Sequence, residues 1–128
     1  IMCAAVADYR PKLVVAGKMK KREGDLVLEL ERTEDILKSL GRMKPDGQLL
    51  VGFAAETDDL LANAAEKLEK KNLDWICAND VGRSGIGFGS DENCVTLLGR
   101  DGRRYGIGPD TKRAVAEAIL EIVTDSGQ

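Results

Sequence analysis

The sequence contains no histidine, and this absence excludes several classes of enzyme. Ser-His-Asp and Cys-His nucleophile pairs, and zinc or iron sites with histidine ligands, all need an imidazole. Aromatic residues are also scarce, at 4% of the chain, which is too few for the stacking platforms that bind single-stranded nucleic acid. Any catalysis by this chain therefore has to proceed without an imidazole.

Positive charge is not in excess, and no apolar run is long. The chain has 19 Lys and Arg against 22 Asp and Glu, a net charge of -3 and a pI near 5.1. An overall attraction to nucleic acid or to an anionic membrane is therefore not expected. The longest apolar run, residues 1–7, is far too short to cross a bilayer. We expect no nucleic-acid partner and no membrane partner, so any anion site has to be local.

Cysteine is limited to three residues, with no CxxC pair among them. This usage is typical of a reducing cytosol and predicts a cytoplasmic protein. Cys3 and Cys77 lie inside apolar runs, which predicts buried, unreactive thiols. The 128 residues suit one domain, assigned to residues 1–128. Because the chain opens inside an apolar run, we expect a fragment of a longer polypeptide.

Three uninterrupted apolar runs predict strands that are buried on both faces of a parallel sheet: residues 1–7, 49–55 and 75–78. Alternating segments predict antiparallel strands at residues 26–30 and 95–98, the latter paired with residues 104–107. The predicted fold class is α/β, with a mainly parallel sheet and an added antiparallel edge hairpin.

Capping residues and apolar spacing predict three helices. The first is expected to end at Gly41. Their predicted N-caps, in chain order, are Thr33, Thr57 or Asp58, and Asp110 or Thr111. Two long connections, residues 9–24 and 81–93, are typical of lids or binding loops. The glycines at 85–89 are not a dinucleotide fingerprint, because no helix pattern follows them.

Polar residues follow each predicted parallel strand. In an open α/β sheet, ligands bind where the carboxyl ends of such strands meet. The residues at that edge are Asp8, Glu56, Thr57, Asn79 and Asp80. A carboxylate there suits a metal-bound triphosphate or a ribose hydroxyl, and equally suits a cap on a nearby backbone turn.

Two groups of lysines are candidates for binding phosphates. The Lys18-Met-Lys-Lys21 segment either supplies ammonium groups from a loop that closes over a nucleotide or is simply solvated. Lys67 and Lys71 are four residues apart, on one face of the predicted second helix. Their place near its C-terminal end also stabilises the helix dipole, so they have a structural explanation as well.

Seven segments together carry a resemblance to a known family. They are Cys3-Ala-Ala-Val-Ala-Asp-Tyr-Arg-Pro11, Lys18-Met-Lys-Lys21, Thr33-Glu-Asp-Ile-Leu37, Gly52-Phe-Ala-Ala-Glu-Thr57, Lys67-Leu-Glu-Lys-Lys-Asn-Leu-Asp74, Cys77-Ala-Asn-Asp80 and Phe88-Gly-Ser-Asp-Glu-Asn93. In this order they are similar to bacterial phosphopantothenoylcysteine synthetase. That family usually forms the C-terminal domain of a bifunctional coenzyme A biosynthesis flavoprotein, with a decarboxylase as the N-terminal part.

The resemblance implies a Rossmann-like three-layer fold and a CTP-dependent ligase. In that reaction CTP activates the carboxylate of 4'-phosphopantothenate as an acyl-cytidylate, pyrophosphate leaves, and the amine of cysteine displaces CMP. Mg²⁺ is the implied metal, FMN belongs only to the separate decarboxylase domain, and a homodimer of the full synthetase domain is implied. Such chemistry needs positioning and charge neutralisation and no histidine nucleophile.

The resemblance also implies site residues by position. Lys18 is the implied catalytic lysine, on a mobile flap, and Asp8 is the implied metal-facing carboxylate. The implied nucleotide contacts are Met2, Cys3, Ala4, Ala5, Asp8, Lys18, Glu34, Asp35, Ile36, Leu37, Phe53, Lys67 and Lys71.

The sequence departs from the family in two ways. The family's first half, with its glycine-rich turn and an asparagine-bearing loop that engages the acyl-cytidylate, has no counterpart here. No catalytic asparagine is therefore assigned, and we expect weak or no turnover from this chain alone. Glu34 stands where the family often has proline, a harmless change in a first helical turn.

Other function classes stay open. The choice of CTP comes from the resemblance alone, because no residue pattern specifies cytosine. A nucleotide-binding regulatory module without catalysis is the alternative. A purely structural or partner-binding domain has no need for polar residues at three strand ends beside a basic loop.

Overall fold

The computed structural model describes residues 1–20, 23–56, 59–80 and 89–125, with only the backbone of Glu56 and Asp80. Its elements in chain order are β1 (Tyr9–Pro11), β2 (Leu30–Arg32), α1 (Ile36–Met43), β3 (Val51–Glu56), α2 (Leu60–Lys70), β4 (Trp75–Asp80), β5 (Glu92–Gly99), β6 (Arg104–Thr111) and α3 (Lys112–Asp125). None of the helices in these ranges is long and apolar enough to span a bilayer.

A four-stranded sheet of order β3-β4-β5-β6 forms the centre of the structure. β3 and β4 are parallel, whereas β4–β5 and β5–β6 are antiparallel. The predicted edge hairpin is thus confirmed as β5 and β6. Residues 1–7 were expected to form a strand, but within this segment only Met2 pairs with the sheet, through a parallel bridge to Gly52. The sheet is therefore mixed, with parallel pairing confined to its β3–β4 side.

Two apolar clusters lie on opposite faces of this sheet. Leu37 of α1 and Leu68 of α2 pack with Ile76 on one face, and Ile119 of α3 packs with Cys77 on the other. Because neighbouring residues of β4 enter different clusters, its apolar run is uninterrupted. Each large side chain buried in this way contributes about 1.5–3 kcal/mol to the stability of the fold. The α/β fold class and its three layers are confirmed.

The start of α1 differs from the prediction. Asp35 is the N-cap, and its Oδ1 accepts a hydrogen bond from the backbone N–H of Lys38 at 3.0 Å. Thr33, the predicted cap, lies before the helix and binds the N-terminal segment instead. Its backbone N–H donates to the carbonyl of Asp8 at 2.9 Å, and its hydroxyl donates to the carbonyl of Ala7. The threonine therefore joins two chain segments and does not cap a helix.

Gly41 lies inside α1 and does not end it, contrary to the prediction. A Cβ at this position would collide with the backbone carbonyl of Lys71. The side-chain amide of Asn72 also donates to the carbonyl of Gly41, at 2.8 Å. Glycine is needed here because the end of α2 approaches α1 closely, and not because the backbone reverses.

The remaining helix and strand predictions have mixed outcomes. Thr111 caps α3 as predicted, since its Oγ1 accepts from the N–H of Ala114 at 3.2 Å. Asp59 occupies the N-cap position of α2 without a side-chain cap bond, and the two predicted caps at 57 and 58 lie outside the described residues. β2 begins where the predicted strand at 26–30 ends, and pairs with β1 inside the predicted connection. Residues 81–88 of the glycine loop are also outside the described ranges.

Candidate functional site

A cavity of about 480 Å³ lies beside the carboxyl ends of β3 and β4, a size in the usual range for small-molecule sites. Its described lining comes from residues 2–8, residues 33–37, residues 53–55, Lys67, Lys71 and Asn79. The cavity therefore joins the N-terminal segment, the start of α1, the end of β3 and one face of α2.

Almost all of the site residues implied by the resemblance lie in this lining. They are Met2, Cys3, Ala4, Ala5, Asp8, Glu34, Asp35, Ile36, Leu37, Phe53, Lys67 and Lys71. Lys18 is the exception, because it lies in the exposed segment after β1 and is not among the lining residues. The structure brings the other residues together, and their binding roles and that of Lys18 stay predictions.

The N-terminal segment is attached at both of its ends. The backbone N–H of Met2 donates to the carbonyl of Val51 at 2.9 Å, and the carbonyl of Asp8 accepts from Thr33. Between these points Ala4 and Ala5 carry only methyl groups. Small side chains allow a ligand to approach the backbone closely, so this segment can recognise a ligand through main-chain groups.

The start of α1 supplies hydrogen-bond donors to the cavity. The N–H groups of Ile36 and Leu37 lie in the first turn, where no carbonyl of the helix can accept from them. The partial positive charge of a helix N-terminus also favours anions and electron-rich oxygen atoms there. The carboxylate of Glu34 accepts from the hydroxyl of Ser39 at 2.7 Å, which holds it against the helix.

Lys71 and Asp35 form an ion pair in the cavity lining. The ammonium nitrogen lies 3.1 Å from a carboxylate oxygen of Asp35. Burial raises the pKa of Asp35, but the hydrogen bond from Lys38 and the contact with Lys71 outweigh it, so the net pKa is lowered. The carboxylate is therefore ionised near neutral pH and holds Lys71 in place. Lys67, one turn earlier on α2, lines the same cavity and has a polar interaction of its own.

Asp8 is the lining carboxylate that the resemblance assigns to a metal, and it is exposed. Across the described residues, no group of three or more acidic or thiol side chains is placed to hold a metal ion. Mg²⁺ commonly binds one or two carboxylates together with the phosphates of a substrate. A single exposed carboxylate thus fits a magnesium ion that arrives with a nucleotide, and not a metal enclosed by the protein.

Cys3 is exposed, which contradicts the predicted buried thiol. It lines the main cavity and also a second cavity of about 240 Å³, which it shares with Phe53 and the apolar side chains of Val115 and Ile119. Only Met2 of this N-terminal segment pairs with the sheet, so Cys3 is not enclosed in a strand. Cys77 is buried as predicted, and burial raises its pKa to about 12, so its thiol is inert at neutral pH.

Asn79 contacts the cavity from the end of β4, as its place after the predicted strand indicated. Its Oδ1 atom is buried and has no hydrogen-bond partner in the described structure. A buried acceptor without a partner costs about 1–3 kcal/mol, so this atom is a feature that the fold alone does not explain. The side chains of Glu56, Thr57 and Asp80, predicted at the same edge, are outside the described part of the chain.

These groups can contact the phosphates of a ligand, and the carboxylates of Asp8, Glu34 and Asp35 line the same cavity. Two lysines and the amides of a helix N-terminus can neutralise phosphates, while Phe53 offers an apolar surface that is 39% exposed. Among the described lining residues, Cys3 carries the one thiol and Thr33 the one hydroxyl. The described arrangement is suited to binding and positioning a charged reactant.

Comparison with known proteins gives consistent results. Residues 1–126 match the family model described as the DNA/pantothenate metabolism flavoprotein C-terminal domain. The chain is 51% identical over 121 residues to the coenzyme A biosynthesis bifunctional protein CoaBC of Bacillus subtilis strain 168. That match covers 94% of this chain and 30% of the Bacillus protein, so the chain spans less than a third of that relative.

Solved structures agree with this relationship. The crystal structure of the C-terminal domain of a CoaBC protein is similar, with a TM-score of 0.71 and 44% identity, over 94% of this chain and 50% of that one. The DNA/pantothenate metabolism flavoprotein from Streptococcus pneumoniae matches with a TM-score of 0.62 and 26% identity, over 78% of this chain and 42% of that one. The chain belongs to the DNA/pantothenate metabolism flavoprotein C-terminal domain family.

Proposed function

We propose that this chain forms the nucleotide-binding part of a CTP-dependent phosphopantothenate–cysteine ligase in coenzyme A biosynthesis. The observation that carries the proposal is the cavity, because it gathers Lys67, Lys71 and the first amides of α1 around one space. The name of the Bacillus relative, a coenzyme A biosynthesis bifunctional protein, supports the pathway. The choice of CTP and the acyl-cytidylate intermediate come from the family resemblance.

The cavity residues perform binding and charge neutralisation in this proposal. Lys67 and Lys71 offset the negative charge of the triphosphate, and the amides of Ile36 and Leu37 donate to the base or the ribose. Asp8 faces the magnesium ion that accompanies the nucleotide. That ion supplies Lewis-acid stabilisation of the charge on the phosphates.

Lys18 has a separate role in the proposal. It belongs to an exposed segment, residues 12–20, that begins directly after β1. A lysine in such a segment can approach the cavity when the reactants are bound and donate to the developing charge on the transferred group. Its place outside the lining is compatible with a flap that is open when no ligand is bound.

Nucleotide binding is tested by calorimetric titration of this chain with CTP and, separately, with ATP in the presence of Mg²⁺. Lys67→Ala removes a lining ammonium, and Lys70→Ala is a matched control, since Lys70 lies on the same helix and pairs with the exposed Glu66. We expect CTP to bind in preference to ATP. Lys67→Ala should weaken CTP binding about 10- to 100-fold, as for a lost hydrogen bond to a charged group.

Lys70→Ala should leave the affinity for CTP nearly unchanged. Equal losses of CTP affinity in the Lys67 and Lys70 variants would indicate a general effect of charge on binding and not a specific site. If CTP and ATP bind equally well, the cytidine preference taken from the resemblance is wrong, although a nucleotide site remains.

A further inference from the structure

The carboxylate of Asp8 needs a support that the apolar core does not provide. Asp8 is exposed and lies at a bend of the chain, directly before β1. Because peptide bonds are planar, the direction of its side chain depends on two torsions, one on each side of its Cα atom. Whatever holds the peptide planes before and after Asp8 therefore decides where the carboxylate points.

Thr33 holds both of these peptide planes. Its backbone N–H donates to the carbonyl of Asp8 at 2.9 Å, which belongs to the peptide after Asp8. Its hydroxyl donates to the carbonyl of Ala7 at 2.5 Å, which belongs to the peptide before Asp8. The two hydrogen bonds together fix both torsions of Asp8, although the two residues are far apart in the sequence.

The two hydrogen bonds differ in what they require of the residue at position 33. The bond to Asp8 continues the antiparallel pairing of β1 and β2, in which Tyr9 pairs with Arg32, so any residue with a backbone N–H can form it. The bond to Ala7 needs a side-chain hydroxyl. A hydroxyl has one proton, and in Thr33 that proton is used in this bond. The side chain is thus engaged with the backbone beside Asp8 and not free to donate to a ligand.

Thr33 is itself held in place from both sides. β2 ends at Arg32, whose guanidinium lies 5.7 Å from the ring centroid of Tyr9, and α1 has its N-cap at Asp35. Thr33 lies between these two elements and also lines the cavity. The start of α1 and the end of β2 therefore provide a fixed point from which the backbone around Asp8 is oriented.

We propose that Thr33 is a positioning residue, whose hydroxyl orients the Asp8 carboxylate toward the magnesium ion that accompanies the nucleotide. This inference rests on the proposed function, in which Asp8 faces that ion. Mg²⁺ demands nearly ideal octahedral geometry, with oxygen atoms at about 2.0–2.1 Å, so a carboxylate that is free to turn binds it less well. Loss of the hydroxyl should consequently weaken nucleotide binding only when the metal is present.

The experiment measures the affinity of this chain for CTP by calorimetric titration, once with Mg²⁺ and once in EDTA. Thr33→Val removes the hydroxyl and keeps the shape and the backbone N–H, whereas Thr33→Ser keeps the hydroxyl. We expect Thr33→Val to lower the affinity about three- to tenfold with Mg²⁺, as for one lost hydrogen bond, and to leave it unchanged in EDTA. Thr33→Ser should bind CTP like the parent chain under both conditions.

A double-mutant cycle tests whether Thr33 acts through Asp8. Asp8→Asn removes the charge that faces the metal, and Thr33→Val should cause no further loss of CTP affinity in that background. Thr124→Val is the matched control, because its hydroxyl donates to the carbonyl of Leu120 at 2.8 Å on α3, outside the cavity lining. This control should bind CTP like the parent chain. Urea unfolding of every variant reports whether the fold is kept.

Several results would overturn the inference. If the parent chain binds CTP and Thr33→Val keeps the full effect of Mg²⁺, the inference is wrong and the proposed function stands. It is also wrong if Thr33→Val weakens CTP binding equally with Mg²⁺ and in EDTA, or causes its full loss in the Asp8→Asn background, since Thr33 then supports the cavity in general.

The remaining outcomes concern the proposed function as well. If Asp8→Asn binds CTP with Mg²⁺ as tightly as the parent chain, Asp8 does not face the metal, and the inference fails while the nucleotide site stands. If the parent chain binds CTP under neither condition, the proposed function fails and the inference fails with it.

Discussion

At the scale of single residues, the pair of Asp35 and Lys71 shows how the cavity is held together. The carboxylate caps α1 through Lys38 and also contacts the ammonium group of Lys71 at the end of α2. One side chain therefore fixes the helix start and a lining lysine at the same time. The sequence did not predict this ion pair, because its partners are 36 residues apart.

The lowered pKa of Asp35 predicts a dependence of stability on pH. Its contribution is fully present above the unfolded-state pKa, about 3.9, and is lost as the pH falls through the lower pKa of the folded state. We therefore expect the free energy of unfolding to fall below about pH 4. Asp35→Asn should lose stability at pH 7 and show a shallower fall in acid, as measured by urea unfolding between about pH 2 and pH 7.

The matched control for this prediction is Asp46→Asn, an exposed aspartate outside the cavity lining. That variant should follow the pH dependence of the parent chain. If Asp35→Asn also follows it, the ion pair with Lys71 does not contribute to folding stability.

At the scale of elements, α1 shows where a sequence signal is misleading. Glycine after an apolar pattern, followed by proline four residues later, is typical of a helix end. In the structure Gly41 has a packing role, which depends on the approach of α2. Such an approach is a long-range contact and has no local signature. By contrast, the cap of α3 at Thr111 is local and could be predicted correctly.

The packing role of Gly41 predicts that alanine at this position lowers the stability of the chain, which is the opposite of what helix propensity alone predicts. In an exposed helix, glycine to alanine stabilises by up to about 1 kcal/mol. Here the added methyl group would collide with the carbonyl of Lys71, and we expect Gly41→Ala to destabilise the chain by about 1–3 kcal/mol. Urea unfolding measures this change, with Arg42→Ala on the exposed side of the same helix as the control. A stabilised Gly41→Ala variant would contradict the close approach of α1 and α2.

At the scale of the whole molecule, the layers were easier to predict than the pairing of the strands. Runs buried on both faces indicate a sheet between helices, and β3 and β4 follow that rule. The prediction for Cys3 failed because its segment forms only one bridge to the sheet, at Met2, and no strand that would bury the thiol. Some apolar side chains, such as Val14 and Val27, are exposed in the described structure. The homodimer implied by the resemblance stays a prediction.

The candidate site could also be predicted only in part from the sequence. Residues at strand ends and on one helix face were predictable, because their positions follow from strand direction and helix periodicity. The individual nucleotide-contact residues were implied by the family resemblance. The structure adds that all of them except Lys18 line one cavity. Asn79 was recognised as a strand-end residue, whereas its unpaired oxygen depends on cross-strand neighbours that only the fold determines.

The central claim is that this chain supplies the nucleotide-binding part of a ligase. The most direct test is a chimera in which this chain replaces the matching C-terminal 30% of the Bacillus subtilis protein, and ligation by the chimera is measured. Formation of phosphopantothenoylcysteine from CTP, 4'-phosphopantothenate and cysteine is followed together with the release of CMP. The isolated chain and a Lys67→Ala chimera serve as controls.

We predict that the chimera forms product in step with CMP, that Lys67→Ala reduces this rate strongly, and that the isolated chain has little or no turnover. Full turnover by the isolated chain would contradict the expected need for the rest of the domain. A folded chimera that binds CTP and forms no product would contradict the ligase and favour a nucleotide-binding regulatory module.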